Sequence, residues 1–186
     1  MLNLEPFSPF CQQLVEERRE CKDAVYSYNN TSNPDVKVTA DEVYRVFSAI
    51  LAASWTQTSI KAEPVVSGHL GHNIYINTPF MRDYGYNISI GDNVDIGTDC
   101  KFLDSGKIII GRNTTIRANV TIDTHKTSHE AKTINGSRRV AVAAKVHIEV
   151  NVYIGADCTI LPGVTIGSGA TVHAGTVVVR VSIRNL

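Results

Sequence analysis

The sequence lacks an excess of either charge and any long apolar run. Its 186 residues include 18 Lys plus Arg and 18 Asp plus Glu, so the formal net charge is +0 at pH 7. A neutral balance gives no general attraction to nucleic acid or anionic lipid. No stretch approaches the roughly 20 apolar residues that a membrane-spanning helix needs. These absences favour a small-molecule or protein partner, with no nucleic acid and no membrane involved.

Cysteine is also scarce, and its spacing excludes several kinds of site. The four cysteines include no CxxC pair, and the segment from Met1 to Phe10 lacks the basic start and apolar run of a signal peptide. Free thiols in a reducing compartment are therefore expected, which predicts a cytoplasmic protein. The cysteines are Cys11, Cys21, Cys100 and Cys158.

The first part of the chain has helical spacing. Apolar residues recur at intervals of three and four from about Pro9 to Ala53, with charged residues between them. A second helix is expected from Thr39 to Ala53, because Thr39-Ala40-Asp41-Glu42 supplies a cap and an acidic first turn. The turn-rich segment from Tyr28 to Asp35 separates the two. Residues 1–55 are therefore predicted to form a small helical hairpin.

From about Ile74 the period of the apolar residues changes to six. Gly, Asp and Asn follow many of these residues, which is typical of short strands joined by tight corners rather than of an antiparallel sheet. Residues 56–186 are therefore predicted to be a mainly β solenoid in which each coil covers the core of the next. The predicted inward positions are Ile90, Ile96, Phe102, Ile110, Ile116, Ile122, Ile148, Ile154, Ile160, Ile166, Val172 and Val178.

The six-residue stride slips in two places. Between Phe102 and Ile110 it lengthens to eight, which predicts an outward bulge at Asp104-Ser105-Gly106. Between Ile122 and Ile148 it lengthens to 26, so about 20 residues must leave the coil as a loop at about 123–145. Long loops on rigid scaffolds often carry function.

His125 is the candidate general base, because it stands three residues after the last core isoleucine before this loop. A base must be held within hydrogen-bond reach of the proton that it takes, and an unperturbed histidine titrates near neutral pH. A zinc site at His125, His129 and Glu130 is the rival interpretation, but no further ligand is evident at suitable spacing. Serine-nucleophile catalysis is disfavoured, since no GxSxG motif is present.

Three segments, taken with the hexads, resemble the maltose and galactoside O-acetyltransferases of the hexapeptide-repeat family. They are 9-PFCQQLVEERRECKDAVYSYNN-30, 78-TPFMRDYGYNISIGDN-93 and 151-NVYIGADCTILPGVTIGSGATV-172. The resemblance implies a left-handed parallel β-helix with an N-terminal helical cap, assembled as a homotrimer with acetyl-CoA between adjacent prisms. It also implies that His125 takes the proton of an acceptor hydroxyl during direct transfer, with His129 as the fallback and no metal required.

The resemblance further assigns residues to two binding sites. Positions that match the acceptor pocket are Arg18, Asp83, Asp95 and Asp104. Positions that match contacts to the pantetheine arm or the nucleotide of the cofactor are Tyr153, Ala156, Ala174 and Arg180.

The sequence departs from the family at points that keep two alternatives open. Gly97 stands where sugar-acetylating members carry an Asn that orients the substrate, which allows an amine or xenobiotic acceptor. The chain ends at 180-RVSIRNL-186, where the family continues with a Pro-containing tail over the cofactor. A catalytically silent trimeric scaffold is therefore the second alternative, and a repeat fold does not by itself decide among them.

Overall fold

The computed structural model describes residues 6–7, 11–31, 69–127, 134–135, 138–139 and 141–179. Within these ranges lie one helix and 19 short strands. In chain order these are β1 (Pro6–Phe7), α1 (Gln12–Thr31), β2 (Ile74–Ile76), β3 (Phe80–Arg82), β4 (Ile88–Ile90), β5 (Val94–Ile96), β6 (Cys100–Leu103), β7 (Ile108–Ile110), β8 (Thr115–Ile116), β9 (Thr121–Asp123), β10 (His125–Thr127), β11 (Ile134–Asn135), β12 (Arg138–Arg139), β13 (Ala141–Ala143), β14 (Val146–Ile148), β15 (Tyr153–Ile154), β16 (Thr159–Ile160), β17 (Thr165–Ile166), β18 (Thr171–Val172) and β19 (Val177–Val178).

Most of these strands form a three-sided parallel β-solenoid. The first face contains β4, β7, β14 and β17; the second contains β2, β5, β8, β15 and β18; the third contains β3, β6, β9, β16 and β19. The chain visits the faces in that order, so each coil has a first–second, a second–third and a third–first corner. Every neighbouring pair within a face is parallel.

The core consists of aliphatic side chains stacked coil on coil. All twelve inward positions predicted from the six-residue stride are buried, with at most 8% of any side chain exposed. On the second face, for example, Ile96, Ile116, Ile154 and Val172 lie in register. Fully burying one such side chain contributes about 1.5–3 kcal/mol. The solenoid predicted from the sequence is therefore confirmed.

Asparagine side chains stabilise the first–second corners. Asn73, Asn93, Asn113 and Asn151 all have φ between 54° and 58°, a left-handed conformation that Asn adopts more readily than most residues. The first three amides each donate to the next asparagine along the solenoid, over 3.0, 3.1 and 3.0 Å. The corner residues of successive coils are thus linked by side-chain hydrogen bonds as well as by the strands.

Glycine at a corner is required where two coils approach closely. A Cβ at Gly97 would lie 2.6 Å from the Ala118 nitrogen, and one at Gly155 would lie 2.5 Å from the Ala174 nitrogen. Gly97 therefore has a packing reason, and no asparagine could stand there without moving the backbone of the next coil.

Helix α1 lies against the first coil. The Tyr28 hydroxyl donates to the Ile76 carbonyl over 2.8 Å. The Asn29 side chain forms two hydrogen bonds with the Phe80 backbone, accepting its N–H over 2.9 Å and donating to its carbonyl over 3.0 Å. The second predicted helix, Thr39–Ala53, and the predicted boundary near residue 55 lie outside the described residues. Within the described ranges, no helix is long and apolar enough to cross a membrane.

The predicted loop leaves the solenoid after Asp123 and returns at Val146. Its two ends form an antiparallel pair, with His125 opposite Ala143 and Thr127 opposite Ala141. The N-terminal strand β1 pairs with the other edge of β13, and β11 pairs with β12. The base of the loop is therefore a small sheet, which restricts the backbone at His125.

Candidate functional site

Charged side chains converge at one third–first corner, beside helix α1. The Asp83 carboxyl interacts electrostatically with Arg18 and Lys22 of α1 and with Asp123 and His125 at the start of the loop. Three of these residues, Arg18, Asp83 and His125, are among the predicted site residues. We call this set of five side chains the corner cluster.

The register of the third face places the two carboxylates and His125 along one edge of the solenoid. Leu103 at the end of β6 pairs with Asp123 at the end of β9, and Arg82 at the end of β3 pairs with Phe102. Asp83, one residue beyond β3, therefore lies at the same edge of the solenoid as Asp123. Asp83 and Asp123, 40 residues apart in sequence, therefore lie two coils apart along one edge.

The backbone at His125 is fixed from two sides. The Asp123 carboxylate accepts the His125 N–H over 2.7 Å, and β13 pairs with β10 on the other side. Thr124 between them is buried, and its hydroxyl donates to the Leu103 carbonyl over 2.7 Å. The His125 side chain is half-buried, so it is both held and accessible.

Arg18 and Glu17 attach helix α1 to the turn that follows β3. The Arg18 guanidinium lies 5.9 Å from the centre of the Tyr84 ring, a cation–π distance. The Tyr86 hydroxyl donates to the Glu17 carboxylate over 2.9 Å. Burial raises the pKa of Tyr84 to about 12, so its phenol stays protonated at neutral pH. These contacts form one wall of the corner cluster.

The Asp83 carboxyl is partly withdrawn from water. Burial raises its pKa above the ordinary value, and Asp123 acts in the same direction. Arg18, Lys22 and His125 oppose this rise by stabilising the ionised form. A carboxyl with a perturbed pKa beside a histidine and two cations is a candidate for substrate binding.

Asp104 occupies a different environment from the one predicted. Its side chain is 0% exposed, and its carboxylate accepts the N–H groups of Asp83, Tyr84 and Gly85 over 3.0, 2.9 and 2.7 Å. The expected outward bulge thus directs its first residue inward. Direct contact between Asp104 and an acceptor does not fit this position, because its oxygens already bind the backbone.

The predicted cofactor residues lie elsewhere on the solenoid. Tyr153, with 44% of its side chain exposed, projects from the second face. Ala156 and Ala174 occupy successive coils at the second–third corner, where the Gly175 N–H donates to the Ala156 carbonyl over 2.8 Å. Arg180 lies outside the described residues. Small side chains at this corner leave the backbone open to a ligand.

The base and the predicted cofactor residues lie at different corners. From Ala156 to Leu161 the third face runs five residues, or about 16 Å at ~3.3 Å per residue. Asp95 lies on the exposed side of the second face, between Tyr75 and Thr115. The second face is opposite the third–first corner, so one chain does not bring Asp95, Tyr153 and His125 together.

The corner cluster contains two residues that the sequence analysis missed. Lys22 lies one helical turn beyond Arg18, and Asp123 precedes His125 by two residues. Residues four apart on a helix, and residues two apart on an extended chain, lie on the same side, so either spacing was a usable indication. Among residues whose placement is described, no three His, Cys, Asp or Glu side chains are grouped so as to hold a metal ion. His129 and Glu130, the other members of the alternative zinc site, are not among them.

Two family models match the chain. The hexapeptide repeat of succinyl-transferase matches residues 87–124 and 145–180, which are the solenoid on either side of the loop. The maltose acetyltransferase hexapeptide capping motif matches residues 1–53, which include α1.

Solved structures and curated sequences give the same result. A maltose O-acetyltransferase from Clostridium difficile 630 is 28% identical, with a TM-score of 0.76 over 96% of this chain and 84% of that one. A galactoside acetyltransferase in complex with coenzyme A is 26% identical, with a TM-score of 0.72 over 92% and 74% of the two chains. The galactoside O-acetyltransferase of Escherichia coli K12 is 27% identical over 88 residues, covering 47% of this chain and 43% of that protein. The chain spans about two fifths of the length of the curated relatives that it matches.

Proposed function

The chain belongs to the hexapeptide-repeat family, in the branch with the maltose acetyltransferase capping motif, and we propose that it transfers an acetyl group from acetyl-CoA to a hydroxyl group of a sugar or similar small molecule. The observation that carries this proposal is the half-buried His125, whose backbone is fixed beside Asp83 and Asp123. The complex of the galactoside acetyltransferase with coenzyme A supports a coenzyme A thioester as the donor.

His125 acts as the general base. Neutral imidazole takes the proton of the acceptor hydroxyl while that oxygen forms a bond to the acetyl carbonyl carbon. The carbon–sulfur bond then breaks, and His125 returns the proton to the sulfur, so the products are the acetyl ester and coenzyme A. No covalent enzyme intermediate is needed.

The remaining residues of the corner cluster bind and orient the acceptor. Arg18 and Lys22 offer hydrogen-bond donors only, whereas Asp83 accepts hydrogen bonds from sugar hydroxyls. A backbone N–H of the solenoid would stabilise the developing oxyanion. Orientation of the acceptor next to a fixed base supplies a large part of the rate enhancement in such a reaction.

We propose that the donor binds against Tyr153, Ala156, Ala174 and Arg180 of a neighbouring chain in a homotrimer. The separation of about 16 Å between corners within one chain supports this arrangement, since a prism packed beside another can place one chain's corner against the next chain's face. Asp95 would then reach the acceptor from the neighbour. An exposed tyrosine and small corner residues fit the flat ring and narrow arm of the donor.

The first experiment is a thermal melt with and without millimolar acetyl-CoA, followed by assay of thiol release with maltose, a methyl galactoside and a panel of amines. A ligand bound only by the native state must raise the melting temperature. We expect a clear rise and a preference for the sugars. Absence of any shift would favour the silent scaffold, and a preference for amines would replace the hydroxyl acceptor.

The residue-level test is His125→Gln, compared with His72→Gln at an exposed corner of the first coil. Loss of a general base lowers the rate by about 10²–10⁴-fold. We expect this loss in kcat for His125→Gln with an unchanged melting temperature, and activity within about 3-fold of wild type for His72→Gln. Full turnover by a correctly assembled His125→Gln variant would contradict the proposal.

A further inference from the structure

The bulge Asp104–Gly106 connects the two halves of the corner cluster. On one side, the Asp104 carboxylate accepts three successive backbone N–H groups from the turn Asp83–Gly85. On the other side, the Gly106 N–H donates to the Thr124 hydroxyl over 2.8 Å, directly before His125. The slip of two residues in the hexapeptide stride therefore builds a physical link between the acidic turn and the base.

The turn Asp83–Gly85 depends on this link. Gly85 has φ of 89°, and a Cβ there would lie 2.1 Å from the Arg82 guanidinium. Arg82 is buried, with its positive charge interacting with Asp104 and the Cys21 thiol. The Asn87 amide also donates to the Asp104 carbonyl over 2.7 Å. Side-chain and backbone groups of Asp104 thus hold both ends of the segment that presents Asp83.

We propose that Asp104 is a positioning residue for acetyl transfer, which orients Asp83 toward His125 by binding the backbone of residues 83–85. This inference rests on the proposed function and assigns Asp104 a role other than direct contact with the acceptor. Three N–H donors converging on one carboxylate form a rigid support, because each hydrogen bond to an ionised acceptor is stronger than a neutral one. A shift of about 1 Å in a group that positions substrate can lower the rate by about 10²-fold.

Asp104→Asn is the informative variant, because it keeps the shape of the side chain. In one orientation the new amide nitrogen would face the Gly85 N–H, and in the other it would face the N–H groups of Asp83 and Tyr84. In either orientation two donors oppose each other, so at least one hydrogen bond is lost. The matched control is Thr114→Val, which removes a buried hydroxyl that donates to the Glu149 carbonyl at a different corner. We expect both variants to lower the melting temperature.

The kinetic test is a double-mutant cycle with maltose as acceptor. We expect kcat/KM to fall about 10–100-fold in Asp104→Asn and in Asp83→Asn, and to stay within about 3-fold of wild type in Thr114→Val. If Asp104 acts through Asp83, the double variant is no worse than Asp83→Asn alone. Losses that multiply in the double variant, or an equal loss in Thr114→Val, would overturn the proposal.

A second readout does not depend on acetyl transfer. Carbon-13 NMR can follow the titration of the Asp83 carboxyl, whose pKa is raised chiefly by burial. When the turn loosens, we expect this pKa to fall toward the ordinary value in Asp104→Asn and also in Asp104→Glu, which keeps the charge but displaces the oxygens. A fall in Asp104→Asn alone would show a charge effect and reject positioning, as would no change in either variant.

These readouts separate the two proposals. If the wild type transfers no acetyl group but both Asp104 variants lower the pKa of Asp83, the proposed function fails and the orientation of the turn by Asp104 stands. If transfer occurs and neither the cycle nor the titration responds to Asp104, the function stands and the positioning role fails.

Discussion

At the scale of single residues, Asp83 gives a prediction about stability and pH. Its folded-state pKa is raised, chiefly by burial, so the folded state holds this proton more tightly than the unfolded state does. The stability associated with the protonated form is therefore present below the ordinary aspartate pKa of 3.8 and is lost as pH rises through the raised pKa. Asp83→Asn has no such titration.

The measurement is urea unfolding of the wild type and Asp83→Asn across this pH range. We expect the wild-type free energy of unfolding to decline relative to that of Asp83→Asn as pH rises above 3.8. A constant difference would show that the cations Arg18 and Lys22 cancel the effect of burial, and a change in favour of the wild type would show that they outweigh it.

Asn113 provides a residue-scale test of the first–second corner. It has φ of 56°, accepts an amide hydrogen bond from Asn93 and donates one to Asn151. Asn113→Ala loses both bonds and places a Cβ in a left-handed conformation that costs about 1–2 kcal/mol. Asn113→Gly loses the same bonds without that cost. Chemical denaturation should therefore show Asn113→Ala to be less stable than Asn113→Gly by about 1 kcal/mol, and equal stabilities would refute the conformational explanation.

At the scale of elements, α1 is joined to the solenoid through Asn29, whose side chain pairs with the Phe80 backbone as a strand would. Asn29→Ala should destabilise the protein by about 1–3 kcal/mol, because backbone groups lose their partner. Asn30→Ala is the control, since the exposed Asn30 amide donates to the Tyr26 carbonyl within the same helix. Hydrogen exchange should show faster exchange along α1 in Asn29→Ala alone; equal protection in both variants would mean that the helix is held elsewhere.

The loop shows what sequence reasoning can say about an element. The interruption of the stride falls where the chain leaves the solenoid after Asp123, because core spacing is a local property. It did not predict the pairing of β10 with β13 and of β13 with β1. Those pairs join residues that are distant along the chain, and the sequences of these strands do not follow the six-residue spacing of the solenoid.

At the scale of the whole molecule, the proposed trimer predicts that the active site is shared between chains, because the base and the proposed donor residues lie at different corners of one chain. His125→Ala removes the base, and Ala174→Glu adds bulk and negative charge at the proposed donor site. Each variant alone should have about 1% of wild-type activity or less. If the two are unfolded and refolded together, random assortment in a trimer gives about a quarter of the interfaces an intact base and an intact donor corner.

The readout of this mixing experiment is recovered thiol release with maltose. The control mixes His125→Ala with a chain that carries both substitutions, which leaves no intact base in any trimer and should recover nothing. Failure of the first mixture to recover activity, with mixed trimers demonstrated by mass spectrometry, would place base and donor site in one chain.

The sequence by itself determined the family, the solenoid and its twelve inward positions, because a core side chain every six residues follows from the length of one strand and one corner. It also placed His125 at the start of the loop. The resemblance also assigned Arg18 and Asp83 to the acceptor pocket. Only the tertiary structure added Lys22 and Asp123 to them and left Asp95 at a distant face, because these positions depend on how the coils and the helix pack. The same holds for Asp104. An aspartate can either bind a substrate or support the backbone. In the structure, the Asp104 oxygens bind the backbone N–H groups of the turn Asp83–Gly85.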